Sequence, residues 1–444
     1  MTMEEHLPSD ASRAAAAVDP QALVALVQAA VQIPSITPDE SAIAAWALDQ
    51  LQGGPWGTAG LIPVEGDRSN VYATASGTRD DRGRALLLAG HLDTVHADGW
   101  AEQWAGTERE SPFAAAIVDG EIWGRGVADQ KAGICMIIEA LRAIDRCGFR
   151  PSGVVTALLV ADEESGQTGS GVSAGMRSAV QAFRSGALPQ PDFAIYTEPT
   201  TSAIYPAQMG FLIAEIAVTG RSAYFGRPEL GADALKAGHE LLSRLWRHSD
   251  DIAQQASHPL VGRAFLVVTE VRSGGNVAVP GDFAASLIRK ILPGETVDDA
   301  AAGLRAVVAS IESDDISTTI TFTAPRDHAL GGTPNEVDIH HAGVEALGTS
   351  IATVTGTAAR LEGAPYWSEG PFLRDLGIPS VYFAAGDIAD CHTSFERLDI
   401  NELVAATRTL AHFVASWCGL EPLEWVSPAS RAAANPSRTQ GEVP

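Results

Sequence analysis

Two periodicities alternate along the first half of the chain. "QALVALVQAAVQI" and "SAIAAWALDQL" repeat apolar residues at helical spacing, and "KAGICMIIEALRAI" (131–144) does the same. Between and after them lie short apolar runs that read as buried strands: "ALLLAG" (85–90), "VVTALLVA", and "FAIYTE" (193–198). Strands alternating with helices predict an α/β fold, a mostly parallel sheet with helices on both faces. In such sheets ligands bind beyond the carboxyl ends of the strands.

The texture changes near residue 209. "FLIAEIAVTG" and "AFLVVTEVRSGG" alternate like strands with one solvent face, with the helical "GADALKAGHELLSRLW" between them. "DFAASLIRKIL", the helical "VDDAAAGLRAVVASI" and the strand-like "STTITFTA" follow. The order β-α-β-β-α-β predicts an inserted ferredoxin-like α+β unit over 209–325. The chain then returns to the first pattern through "VDIHHAGVEALG", "IPSVYFAAG" and "NELVAATRTLAHFVASW". The expected organisation is one α/β domain from 20–208 and 326–425, the inserted domain, and disordered tails at 1–19 and 427–444.

Composition narrows the partners. The 444 residues carry 30 basic and 55 acidic side chains, a formal net charge of -25, which argues against nucleic acid or an anionic membrane surface. The N-terminus has no long apolar core of a signal peptide, and no uncharged apolar run reaches the ~20 residues of a membrane span. Cys135, Cys147, Cys391 and Cys418 show no CxxC pairing and fit reduced thiols in a cytoplasmic protein.

One junction carries chemistry. The strand in "VVTALLVADEESG" runs without a turn residue into three adjacent carboxylates, Asp162, Glu163 and Glu164. Packed together they repel, and their desolvation is costly unless a cation is present. Other strand ends carry matching groups: His91 and Asp93 in "HLD", Glu198 after "FAIYT", His392 in "DIADCHT", and Asp129 at the mouth of the helix in "GRGVADQKAG". Imidazole nitrogen with carboxylate oxygen is a ligand set for zinc, manganese or cobalt. The steps from His91 to Asp129, Glu164 and Glu198 are 38, 35 and 34 residues, each about one strand-helix unit. Each group therefore comes from a successive β-α loop. His96, His340 and His341 have no motif support and read as non-ligands.

The ordered motifs "GHLDTV", "SPF…VDGEIWGRGVADQKAG", "ADEESG", "TEP" and "CHTSFE" resemble the dinuclear zinc family of acetylornithine deacetylase, succinyl-diaminopimelate desuccinylase, aminoacylase and glutamate carboxypeptidase. The resemblance covers nearly the whole chain. It implies a zinc-peptidase-like fold whose inserted unit is a lid and dimerisation domain. It also implies two divalent metal ions, zinc first, with cobalt or manganese as alternatives. Asp129 would bridge them, with His91 and Glu198 completing one site and Glu164 and His392 the other. Glu163 would be the general base, and Asp93 would accept the second N–H of His91 and fix its tautomer. The peptide after Asp129 would be cis. The implied reaction is hydrolysis of an amide bond in an N-acyl amino acid or dipeptide, by a homodimer.

"SGGNVAVPGDFAASLIRKILPGE" matches the family segment that supplies a substrate-binding asparagine and arginine, here Asn276 and Arg289, the latter a clamp for a substrate carboxylate. Two positions depart from the family. Tyr224 stands where the lid motif has a histidine, and Glu369 where an aspartate is usual. A phenol can still donate one hydrogen bond to an oxyanion. Two other readings compete. "GVSAG" (171–175) matches a serine-hydrolase nucleophile elbow at Ser173, although polar "DEESGQTGS" precedes it where a strand is required. A non-catalytic binding protein on the same fold would lose a ligand or Glu163, and all are present.

Overall fold

The computed structural model describes residues 9–77, 83–164 and 171–423. Its main sheet contains β1 (Thr58–Pro63), β2 (Ser69–Ser76), β3 (Leu86–His91), β4 (Val154–Val160), β5 (Phe193–Tyr196) and β6 (Ile204–Gln208). The spatial order is β1-β2-β4-β3-β5, then Ser380–Tyr382, β6 and the short strand Asn335–Glu336, with Leu361–Ala364 also paired to β6. The central strands β4, β3, β5 and Ser380–Tyr382 run parallel. Antiparallel pairs flank them: β1 with β2, β2 with β4, and Ser380–Tyr382 with β6. The periodicity showed strands buried on both faces but not the direction of the flanking ones.

Burial on both faces is visible residue by residue. Leu86, Leu88, Val155, Ala157 and Leu159 point into one core; Leu87, Ala89, Leu158 and Val160 point into the other. The first core is covered by α2 (Pro20–Val31), α3 (Ser41–Leu51) and α4 (Ala132–Arg146); the second by α5 (Ala174–Arg184). Helix α4 buries Ile134, Cys135, Met136, Ile137 and Ile138 in succession, so its first turns are covered on every side, and the charged residues that reach solvent, Arg142, Asp145 and Arg146, come only near its end. Register sets the functional edge. His91 lies opposite Val160, and Ala89 opposite Tyr196. His91, the carboxylates after β4 and Glu198 therefore emerge at one end of the sheet.

The inserted unit has the expected order: β7 (Gly210–Thr219), α6 (Ala234–Gln255), β8 (Phe265–Ser273), β9 (Asp282–Ile291), α7 (Val297–Ala309) and β10 (Ser317–Phe322). Its antiparallel sheet runs β8-β9-β7-β10. One face packs Leu212, Ala214, Ile216 and Val218 of β7 against Leu241 and Leu245 of α6 and Leu304 of α7. The alternate residues Glu215, Ala217 and Thr219 are exposed, so this sheet is covered on one side only.

The returning chain adds α8 (Ala342–Thr355) and α9 (Ile400–Cys418), and α9 packs deeply against the first core. Here the expectation of a disordered tail over 1–19 is corrected from residue 9 onward, while residues 1–8 lie outside the described residues. Asp10–Ala16 forms a helix, α1, capped by the Ser9 hydroxyl, which accepts from the Ser12 amide. Ala14 is fully buried, and Arg146 donates to the carbonyl of Ala17. The stripe that docks is made of alanines, which leave little trace in an apolar pattern. The expected tail at 427–444 lies outside the described residues. No single helix among the described residues is long and apolar enough to cross a membrane.

Candidate metal centre

His91 is the last residue of β3, and the loop it opens holds it. Its Nδ1 lies 3.0 Å from the Asp93 carbonyl, which leaves Nε2 facing inward, 2.9 Å from Asp129 Oδ1 and 3.9 Å from Glu198 Oε2. Asp129 sits in the turn before α4, and the Asp129–Gln130 peptide is cis. Gly90 makes room for that turn: a Cβ there would lie 2.2 Å from Gln130 Oε1. Across the centre, His392 Nε2 is 2.9 Å from Glu164 Oε1 and 3.2 Å from Asp129 Oδ2. The two oxygens of Asp129 thus face two different histidines. Two donor triads share this residue, His91–Asp129–Glu198 and Asp129–Glu164–His392, each with its donor atoms within 4.8 Å of one another. His91, Glu163 and Glu164 form a third such group.

The electrostatics are those of a cluster built for a cation. Burial, then repulsion from Asp129, lifts the Glu164 carboxyl to about 7. Burial lifts Glu198 to about 8 against the pull of His91. Glu163 is raised well above the usual carboxylate range by burial, with Glu198, Glu164 and Glu369 adding repulsion. Asp129 goes the other way: burial pushes it up, but hydrogen bonds from His392 and His91 outweigh burial and hold it low. Those bonds to Asp129 and Glu164 lift His392 to about 11. Two imidazoles cannot offset four buried carboxyls, whereas two divalent ions can. The donor types, the shared carboxylate and this excess of buried acid all fit a pair of divalent ions.

Asp93 does more than orient one imidazole. Its backbone carbonyl, not its side chain, is nearest His91 Nδ1; the carboxylate Oδ1 is 3.6 Å away. The carboxylate instead accepts from the Glu163 amide at 3.3 Å, the Glu164 amide at 2.9 Å and the Thr37 hydroxyl at 2.7 Å. A carboxylate in the loop after the neighbouring strand can satisfy amides that a strand end leaves unpaired. Asp93 therefore meets His91 with its backbone carbonyl, its carboxylate close behind, and holds the amides of the acid pair with its side chain.

The lid residues lie elsewhere. Arg289, on β9, is buried and occupied: its Nη2 donates to Glu295 Oε1 at 2.8 Å and its Nη1 to the carbonyl of Lys290. It is a strand arginine paired with a local acid and is not gathered with the centre. Asn276 sits exposed in a turn at φ 51. Tyr224 is 66% exposed, pairs with Ala278 across a short ladder and packs on Phe225 at 4.6 Å between ring centroids. Ser173 opens α5 at φ 60, and the two residues before it, Gly171 and Val172, are not strand but donate their amides to the Asp162 carboxylate. Residues 165–170 of "DEESGQTGS" lie outside the described residues. His341 caps α8 and His340 is exposed, so neither joins the centre.

Some supporting residues escaped the sequence reading. The buried Glu396 carboxylate accepts from the amides of Gly126, Ala128 and Asp129 at 3.0, 3.1 and 3.2 Å and pairs with Arg125 at 2.6 Å. It holds the turn that presents Asp129, and its only signal was its place in "CHTSFE". Ser368 donates to Glu198 Oε1 at 2.8 Å, and Tyr196 donates to Glu369 at 2.8 Å.

Known proteins share both the sequence pattern and the fold. The model of peptidase family M20/M25/M40 matches residues 87–416. The chain is 26% identical over 375 residues to acetylornithine deacetylase of Proteus mirabilis, spanning 80% of this chain and 84% of that protein. It is 27% identical over 413 residues to a probable carboxypeptidase of Emericella nidulans, spanning 88% and 89%. A tripeptidase structure from Staphylococcus aureus superposes with a TM-score of 0.70 at 17% identity, over 90% of this chain and 99% of that one. The Bacillus subtilis YXEP protein, described as a dinuclear metal binding peptidase, superposes with a TM-score of 0.62 at 15% identity, over 90% and 98%. With the family match running from β3, through the carboxylates after β4, past His392 and into α9, the chain belongs to peptidase family M20/M25/M40.

Proposed function

We propose that this metal-dependent amide hydrolase removes the acyl group from an N-acyl amino acid or cleaves a small peptide, using two divalent ions. His91, Asp129 and Glu198 would hold one ion; Asp129, Glu164 and His392 the other. The observation that carries this reading is the Asp129 carboxylate, one oxygen toward each histidine. Zinc suits the nitrogen and oxygen donors best, with cobalt or manganese as alternatives. When bound, the ions would polarise the scissile carbonyl and acidify a water. The names of the relatives, a deacetylase and a carboxypeptidase, support the substrate class.

Glu163 is the base in this reading. Among the described residues no side chain hydrogen-bonds its carboxylate, while Glu164 is engaged by His392. Glu163 can take a proton from water and deliver it to the leaving nitrogen. Its burial raises its proton affinity, which suits both halves of that transfer.

The lid would make the enzyme a homodimer. β8 is an edge strand carrying exposed Phe265, Val267 and Val271, and α6 exposes Trp246 beside it. An unpaired apolar edge of this kind favours a second copy. The exposed Tyr224 would then reach the partner's centre and donate its hydroxyl to the developing oxyanion. The free cysteines, three of them buried, fit a reducing cytoplasm.

The test is a hydrolysis screen over N-acyl amino acids and dipeptides with zinc, cobalt or manganese, alongside metal analysis. About two ions per chain are expected, with activity lost on chelation and restored by add-back. Asp129→Ala should lose both ions together. Retention of one fully occupied site would rule out the bridge, and chelator-resistant turnover would favour Ser173 instead.

A further inference from the structure

Away from the metal centre, α1, α8 and α9 enclose an open pocket of about 320 Å³, lined by Ser12, Ala15 and Ala16 of α1, Val354 of α8, and Arg408 and His412 of α9. The space follows from the alanines of α1: side chains this short leave a gap between helices that larger ones would fill. None of these residues belongs to the donor groups around Asp129.

Arg408 has nothing in the chain to hold. Its guanidinium makes no hydrogen bond or ion pair among the described residues, and its Nε is buried without a partner. The three helices have no acid to spare. Asp10 of α1 pairs with Arg13, Glu345 of α8 lies 3.6 Å from His340, and Glu402 of α9 accepts from Ser202. In a chain with 55 acidic and 30 basic side chains, a half-buried guanidinium without a carboxylate is out of keeping. A buried donor with no acceptor is costly, and an anion brought by a ligand would satisfy it.

His412 stands one turn further along the same face of α9. Its Nδ1 lies 3.0 Å from Ser350 Oγ and 3.3 Å from Ser416 Oγ. Both hydroxyl protons are already given to carbonyls, those of Ala346 and of His412 itself. Nδ1 therefore carries the ring proton and donates, and Nε2 is an acceptor with no partner among the described residues. Burial holds the proton affinity of this imidazole below the usual histidine value, which favours the neutral ring.

We propose that this pocket binds a free amino acid with an apolar side chain. The carboxylate would lie on the planar fork of Arg408, which matches it with two parallel hydrogen bonds. The ammonium would donate to Nε2 of His412, and the side chain would rest against Ala15, Ala16 and Val354. The site is read by binding and stands independently of the hydrolase reading, although a free amino acid is the kind of product that such a reaction releases.

The test is calorimetric titration and ligand-dependent thermal shift of the metal-loaded protein with L-valine and L-leucine. The controls are 3-methylbutanoate and 4-methylpentanoate, which lack only the amino group. Arg408→Gln should unfold at the wild-type midpoint without ligand, because the guanidinium holds nothing in the fold. It should weaken amino acid binding roughly 10–10²-fold, the scale of a charged hydrogen bond. Arg408→Lys, which keeps the charge and loses the fork, should retain part of the binding. His412→Phe should bring the amino acids down to the level of the amine-free acids. Amino acid held at the metal centre is common to all the proteins, so the difference between wild type and variants isolates this pocket. Equal isotherms for wild type and Arg408→Gln, or no binding of either amino acid, overturn the proposal. Amine-free acids that bind wild type as tightly as the amino acids overturn the assignment of the ligand.

Discussion

Glu163 and Glu164 are neighbours in sequence and differ in what holds them. Both amides are fixed by Asp93, but only the Glu164 carboxylate meets a histidine. Glu163→Gln should therefore keep both metal ions and lose roughly 10²–10⁴-fold in turnover, the range for a general base. Glu164→Gln should instead weaken metal binding, read by chelator competition. The reverse pattern would mean that the roles within the pair are exchanged. Tyr224 makes a second contrast. Its hydroxyl has no partner in the chain's own centre, so its effect on chemistry would have to come from a second copy. Tyr224→Phe should lower turnover by roughly 10–10³-fold, up to the cost of one oxyanion donor, with little change in thermal stability. Equal turnover and equal KM would leave the ring as packing.

At the scale of elements, the centre depends on loops tied to one another, not on strands alone. Glu396 satisfies three amides of the turn that presents Asp129 and pairs with Arg125, all out of water. Glu396→Ala would leave those donors and that charge unpaired. It should cost about 3–5 kcal/mol of stability and lower metal affinity, read by thermal unfolding with and without zinc. An unchanged unfolding midpoint would contradict this anchoring role. Such ties mark the limit of what the sequence discloses. The strands and their terminal acids were legible because apolar runs ending in charge are rare and evenly spaced here. The partner of each acid was not, since Asp93 and Glu396 act through backbone amides that carry no residue signature. The same holds for Arg289, whose neighbour Glu295 is six residues away, and for α1, whose buried stripe is alanine.

For the whole molecule, the edge of the lid sheet is the exposed seam. Val267 is 48% exposed on β8, and a lysine there would place charge on that edge. Wild type should sediment as a dimer and Val267→Lys as a monomer, with Tyr224-dependent turnover lost alongside. A wild-type monomer, or a dimer that survives the lysine, would move the interface elsewhere. The catalytic sheet has a property of another kind. Four of its five proposed metal-binding groups, His91, Asp129, Glu164 and Glu198, come from the first half of the chain, yet Asp129 is held in place by Glu396 and shared with His392. During synthesis the ribosome releases the first group of ligands long before the residues that finish the site. A nascent chain stalled before residue 392 should therefore hold zinc no better than an unfolded one. Cofactor capture would then be a late event in biogenesis, after the lid has emerged, and the growing chain could not sequester metal prematurely.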